Sequence, residues 1–216
     1  MTLKITKKSI IVPFVIISLF SIVIILAAST PQLPPAKSTY DPSYGLFPHG
    51  YLDSAYEGIP LTQGDIQKHI PVASINLLPS NYQCIARLYN ATLNQYYIII
   101  SPQPLSDFKM KTIYENGCIV VHISTSVDVL NHATPTEDAA LKKFVKDLAE
   151  GSSVGEIFRV GTGELFGYGY IGHRTAWGEQ GITLILNNGI FIWIQACLPE
   201  EWIRAMANNL SILPQT

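Results

Sequence analysis

Cys118 and His122 are separated by Ile119, Val120 and Val121, and a thiol beside an imidazole suggests a nucleophile or a metal ligand. On a strand, residues four apart share one face. They also stand roughly 13 Å apart along it, beyond the hydrogen-bond reach that a base needs to activate a thiol. A structural zinc takes four ligands, and the nearest other histidine is His132. Two residues buried in a sheet explain the pair more simply. Glu115, Asp128, Glu164 and Glu179 could meet in space as a glycosidase's two carboxylates do, but their spacing selects no two of them, and turn positions account for them equally well. H-E-x-x-H does not occur.

Residues 167–172, Gly-Tyr-Gly-Tyr-Ile-Gly, spell G-x-G-x-x-G. Dinucleotide binding requires a helix directly after that turn, whose N-terminal N–H groups hold the pyrophosphate. The next residues, His173 to Gly178, carry no helical apolar period. The glycines instead mark a bent strand against which another element packs closely. No cofactor is expected.

Tyr96, Tyr97, Tyr114, Phe166, Tyr168, Tyr170, Phe191 and Trp193 form the most suggestive set. On a sheet they either line an apolar groove for a lipid, peptide or sugar, or fill the core beneath helices. Tyr168 and Tyr170 alternate with glycine on one face and, with Trp193, are the best candidates for exposed ligand contacts.

These residues belong to a chain that begins with a run of 20 uncharged residues, 9–28, dominated by Ile, Val, Leu and Phe. As a helix it spans about 30 Å, the thickness of a bilayer's hydrocarbon core. Lys4, Lys7 and Lys8 precede it and no acid appears before Asp41, which places the N-terminus in the cytoplasm and the remainder outside. The length of the run favours a retained anchor over a cleaved signal peptide, and both export the rest of the chain. Beyond the anchor, 14 less 3 basic residues face 16 acidic ones, a net −5 that argues against nucleic acid. Outside the cell a disulfide is permitted, but three cysteines (Cys84, Cys118, Cys197) cannot all pair within one chain, and their apolar surroundings suit buried thiols. Asn90-Ala91-Thr92 fits the glycosylation acceptor pattern at an expected turn, and Asn209-Leu210-Ser211 fits it again.

The organisation expected is a cytoplasmic stub over 1–8, a transmembrane helix over 9–28, a Pro-rich linker over 29–60 and an extracytoplasmic domain over 61–216. Within the domain, Thr62 and Asp65 suggest a capped helix ending before Pro71. Strands are expected over 82–89 and 96–101 around a polar hairpin loop. A further hairpin is read over 110–124, turning at Asn116-Gly117. Thr134-Pro135-Thr136-Glu137 reads as the start of an amphipathic helix ending at Gly151, with Ala139, Ala140, Phe144, Val145 and Leu148 on its apolar face. Strands then follow over 156–160, 165–171, 181–186 and 190–196, the last two joined at Asn187-Asn188-Gly189, and a helix closes the chain over 199–210. The fold class is α+β: a curved antiparallel sheet packed with two helices, preceded by the single N-terminal transmembrane helix.

Asn188-Gly189, Phe191, Trp193, Leu198, Glu200-Glu201 and the apolar-periodic 203–210 resemble the end of DUF4367-type domains. There a hairpin leads to a leucine, an acidic pair and a closing amphipathic helix. Upstream, His69-Ile70-Pro71-Val72 with Leu78-Pro79-Ser80-Asn81-Tyr82 is similar to their opening, Asn81 replacing the usual glycine. The resemblance covers about 68–213. It implies an extracytoplasmic domain placed after one membrane helix, and no catalytic residues. The function expected is binding or sensing at the cell surface without catalysis, the partner being a membrane or cell-surface protein or an apolar ligand. An exported hydrolase using carboxylates or Cys118 and a structural subunit of a membrane complex are the alternatives.

Overall fold

The computed structural model describes residues 33–43, 52–125 and 134–213. The expected membrane segment over 9–28 and the stub before it lie outside these residues, as do Asp128 and His132. Among the described residues no helix is long and apolar enough to cross a membrane.

The domain is α+β. Its strands are β1 (Ile59–Pro60), β2 (Ala73–Ile75), β3 (Gln83–Asn90), β4 (Gln95–Ser101), β5 (Ile119–Ser124), β6 (Phe158–Thr162), β7 (Leu165–Ile171), β8 (Gln180–Leu186), β9 (Phe191–Ala196) and β10 (Leu210–Ile212). Among the described residues these helices accompany them: α1 (Gln63–His69), α2 (Met110–Glu115), α3 (Asp138–Ala149) and α4 (Glu200–Asn208). Eight strands form one sheet in the order β1-β3-β4-β5-β9-β8-β7-β6, every pair antiparallel, and β10 pairs with β2 separately. The chain builds one meander, β3-β4-β5, crosses over through α3, and builds a second, β6-β7-β8-β9. The last strands of the two meanders pair at the centre.

Local chemistry explains most boundaries. Thr62 and Asp65 close a capping box, Asp65 N donating to Thr62 Oγ1 at 3.2 Å and Thr62 N to Asp65 Oδ2 at 3.0 Å. Asn90 Oδ1 accepts from Leu93 N at 3.1 Å and holds the β3–β4 hairpin loop.

The hairpin expected over 110–124 is not formed; its first arm is helix α2. Met110, Ile113 and Tyr114 are buried at positions i, i+3 and i+4, a helical spacing. Asn116-Gly117 serves as the end of that helix: Asn116 N donates to Thr112 O, and Gly117 follows at φ +62°, the left-handed conformation that closes a helix without a Cβ clash. Helix α3 also starts later than its apparent capping signal. Glu137 is its N-cap with no side-chain bond, and the buried face is Leu141, Val145 and Ala149, while Ala139 and Ala140 are exposed. Pro199 precedes α4 as its N-cap.

Described parts of the 29–60 stretch are built onto the domain. Thr39 N donates to Cys197 O at 3.0 Å, Asp41 N to Trp177 O at 3.0 Å, and Trp202 Nε1 to Pro34 O at 2.6 Å. Tyr56 is buried among α2 and the sheet, and β1 pairs with β3.

The register sorts the sheet residues onto two faces. One carries Leu88, Tyr97, Ile99, Val120, His122, Trp193, Gln195, Thr183, Tyr168 and Tyr170; α2 and α3 cover its two ends. The other carries Ile98, Val121, Ile194, Ile182 and Leu184, beneath α1, α4 and the β2–β10 pair.

Candidate functional site

Between the α2 and α3 layers, one cross-strand row spans the sheet. Tyr170 of β7 is opposite Thr183 of β8, Thr183 opposite Trp193 of β9, Trp193 opposite His122 of β5, and His122 opposite Tyr97 of β4. Three rings of this row touch. Tyr97 meets His122 edge-on at 4.9 Å between centroids and 89° between planes, and His122 meets Trp193 at 5.3 Å and 40°. Tyr56, carried by the segment before β1, adds a fourth ring, 5.0 Å from Tyr97 and 5.2 Å from His122. The edge-to-face arrangement matches the ring quadrupoles.

Gly181 makes room for the indole. A Cβ there would lie 2.4 Å from Trp193 Nε1, closer than any real contact, so only glycine lets Trp193 lie over β8. Tyr97 and Tyr56 are buried, whereas His122, Trp193 and Tyr170 are half-buried.

Beneath the row runs a buried polar chain. Tyr114 Oη donates to Glu179 Oε2 at 3.1 Å; Gln195 Nε2 donates to Tyr114 Oη at 3.1 Å and to Tyr56 Oη at 2.5 Å; Tyr56 Oη lies 3.3 Å from His122 Nε2. Such a network links five side chains from five places in the sequence and fixes their rotamers together. Gln195 Oε1 is buried with no partner among the described residues. Burial pushes the Glu179 carboxyl above its ordinary range, and the bond from Tyr114 works the other way. His122 is half-buried as a residue, but its Nε2 faces the buried Tyr56 hydroxyl, and desolvation lowers its pKa to about 4. The imidazole is therefore neutral near pH 7.

This arrangement can stack a flat apolar face on Trp193 and Tyr170. It does not assemble the nucleophile considered from sequence. Cys118 Sγ donates to Ser101 Oγ at 3.3 Å, while His122 is engaged by Tyr56. All three cysteines are free thiols, Cys118 and Cys197 buried and Cys84 half-buried. Glu115 and Glu164 are exposed and apart from buried Glu179. Among the described residues no three His, Cys, Asp or Glu side chains gather as metal ligands.

Of the expected ligand contacts, Tyr170 and Trp193 fall in the row. Tyr168 lies outside it. It is 6% exposed beneath α3, packed with Leu141 and Val145, and its Oη donates to Asp138 Oδ1 at 2.6 Å. Tyr168 and Tyr170 share one face, and α3 covers its Tyr168 end. The glycines of β7 do permit close packing: a Cβ on Gly169 would lie 2.6 Å from Thr183 O. Asn90 is half-buried at the end of β3. Gln195 and Tyr56 are site residues that the sequence does not single out, and Glu179, a candidate carboxylate, is found bonded to Tyr114 and not to a second acid. The signal for Gln195 was available, since Phe191, Trp193 and Gln195 share a face and an amide among apolar strand residues needs a partner.

No family model, no curated protein and no solved structure matches this chain. The resemblance to DUF4367-type domains rests on the quoted residues alone.

Proposed function

We propose that the chain is a membrane-anchored, externally facing binding domain whose site is the aromatic row from Tyr170 to His122. The ligand is uncharged with a flat apolar face, such as a sugar ring or an aryl group. One observation carries this reading: between two covering layers, Trp193 and His122 lie ring to ring and Tyr170 shares their face across Thr183, all three half-buried. An aromatic face of this kind binds through stacking area and a few fixed polar groups. The engagement of Cys118 by Ser101 rather than His122 supports binding without a catalytic step. Anchoring rests on the uncharged run over 9–28 and its flanking lysines.

The test is a titration of the protein with a panel of oligosaccharides and aryl glycosides, read by tryptophan fluorescence and calorimetry. A ligand from this panel is expected to lose at least about tenfold in affinity on Trp193→Ala, the loss of a stacking contact. Binding that survives both Trp193→Ala and Tyr170→Ala refutes the site. A reporter fused at Thr216 tests the topology; its appearance in the cytosol of intact cells refutes external placement.

A further inference from the structure

The opposite face of the sheet holds a separate cavity of about 170 Å³. Its floor is two cross-strand rows, Arg87–Ile98–Val121 and Cys84–Ile100, and its walls come from Ile66 and Gln63 of α1, from β2 and from Leu213. Apart from Arg87, the lining is apolar or uncharged, and none of the described lining residues is acidic. Arg87 is half-buried, donates from Nη2 to Gln63 Oε1 at 3.4 Å, and pairs with no carboxylate among the described residues. A guanidinium cannot shed its charge to relieve burial, and its planar fork matches a carboxylate. A half-open pocket with an apolar floor beside an uncompensated guanidinium is thus complementary to an apolar tail ending in an anion.

We propose that this cavity binds a small aliphatic monocarboxylate, its carboxylate on Arg87 and its tail over Ile98, Ile100 and Val121. The volume sets the tail: a dry apolar cavity of about 150 Å³ accepts benzene, so about six carbons fit. The site lies on the other face from the aromatic row and does not depend on it.

Cys84 lines the same cavity and reports its occupancy, since the other two thiols are fully buried. The experiment uses the full-length chain in lipid nanodiscs, labelled with iodoacetamide at about pH 8.5, near the ordinary thiol pKa. The rate at Cys84 is followed by peptide mass spectrometry in the presence of hexanoate, hexan-1-ol or hexylamine. Unlabelled Cys118 and Cys197 certify that each sample is folded. Hexanoate is expected to slow Cys84 labelling at concentrations at least about tenfold below those of hexan-1-ol, the worth of a charge-assisted pair, with hexylamine weakest. In Arg87→Gln, hexanoate loses that advantage. The proposal is overturned if hexanoate gives no protection, protects no better than hexan-1-ol, or keeps its advantage in Arg87→Gln. Should Arg87→Gln fail to fold, the comparison of the three probes on the unsubstituted chain still decides.

Discussion

Acid should destabilise this domain through His122 by an amount that can be isolated. The imidazole has a pKa of about 4 in the folded state against the ordinary 6.5. A depressed folded value means that folding favours the neutral form. Between pH 6.5 and 4 the unfolded chain binds more protons, so the contribution of His122 is complete above pH 7 and is lost as pH falls through that window. The full displacement corresponds to about 3.4 kcal/mol at 1.36 kcal/mol per unit, and solvent reaching the exposed part of the ring trims it to about 2–3 kcal/mol. Other carboxyls titrate in the same range, so the assay is a difference. Urea unfolding of residues 34–216, which form one compact unit, is measured at half-unit steps from pH 7.5 to 4 for the unsubstituted sequence and for His122→Phe. The substitution carries a cost that does not vary with pH, from the lost bond to Tyr56. Superimposed on it, the stability gap in favour of histidine should shrink by about 2–3 kcal/mol as pH falls from 7 to 4. A gap that stays constant over this range would show that the imidazole charges without penalty, and the account of a desolvated Nε2 would fail.

Three further outcomes follow from the same structure. Gly169→Ala should lower unfolding free energy by about 2 kcal/mol or more, because the new Cβ meets Thr183 O and Leu184 Cδ2 in the middle of the sheet; an unchanged urea midpoint would contradict the packing. Glu179→Gln should gain on the parent sequence as pH rises, since a carboxyl held above its ordinary pKa contributes stability at low pH that is lost as it ionises; parallel pH profiles would show that Glu179 ionises freely. Native protein treated with a thiol reagent should take one label, at Cys84, and three after unfolding; native labelling of Cys118 or Cys197 would place them outside the core.

The parts of the fold legible in the sequence are those whose determinants are local. The capping box of Thr62 and Asp65 starts α1, and the turn residues at 90–94 and 187–189 join the strands expected on either side. Asn116-Gly117 misled because the same dipeptide serves a tight hairpin and a helix end, and six residues are too few for the helical period of α2 to declare itself. The three-residue strands β2 and β10 carry no period at all and exist through their pairing with each other. The site divides in the same way. Tyr170 and Trp193 were legible as aromatics on alternating strands. The burial of Tyr168 was not, because it depends on where α3 lands, 30 residues away in sequence at Asp138. Nor was the carboxylate of Glu179, which reaches Tyr114 across 65 residues.

The two meanders hold each other reciprocally. Helix α3, which follows the first, lies on β7 of the second; β10, which follows the second, pairs with β2, which precedes the first; and β5 meets β9 between them. Each half therefore keeps its own terminus on its partner's ground, and neither can detach without surrendering three contacts at once. Chain entropy lost in bringing together segments as distant in sequence as Ala73 and Ile212 is recovered only when the whole clasp has shut. Stretching or heating should yield one abrupt transition, with no lingering species in which a single half persists.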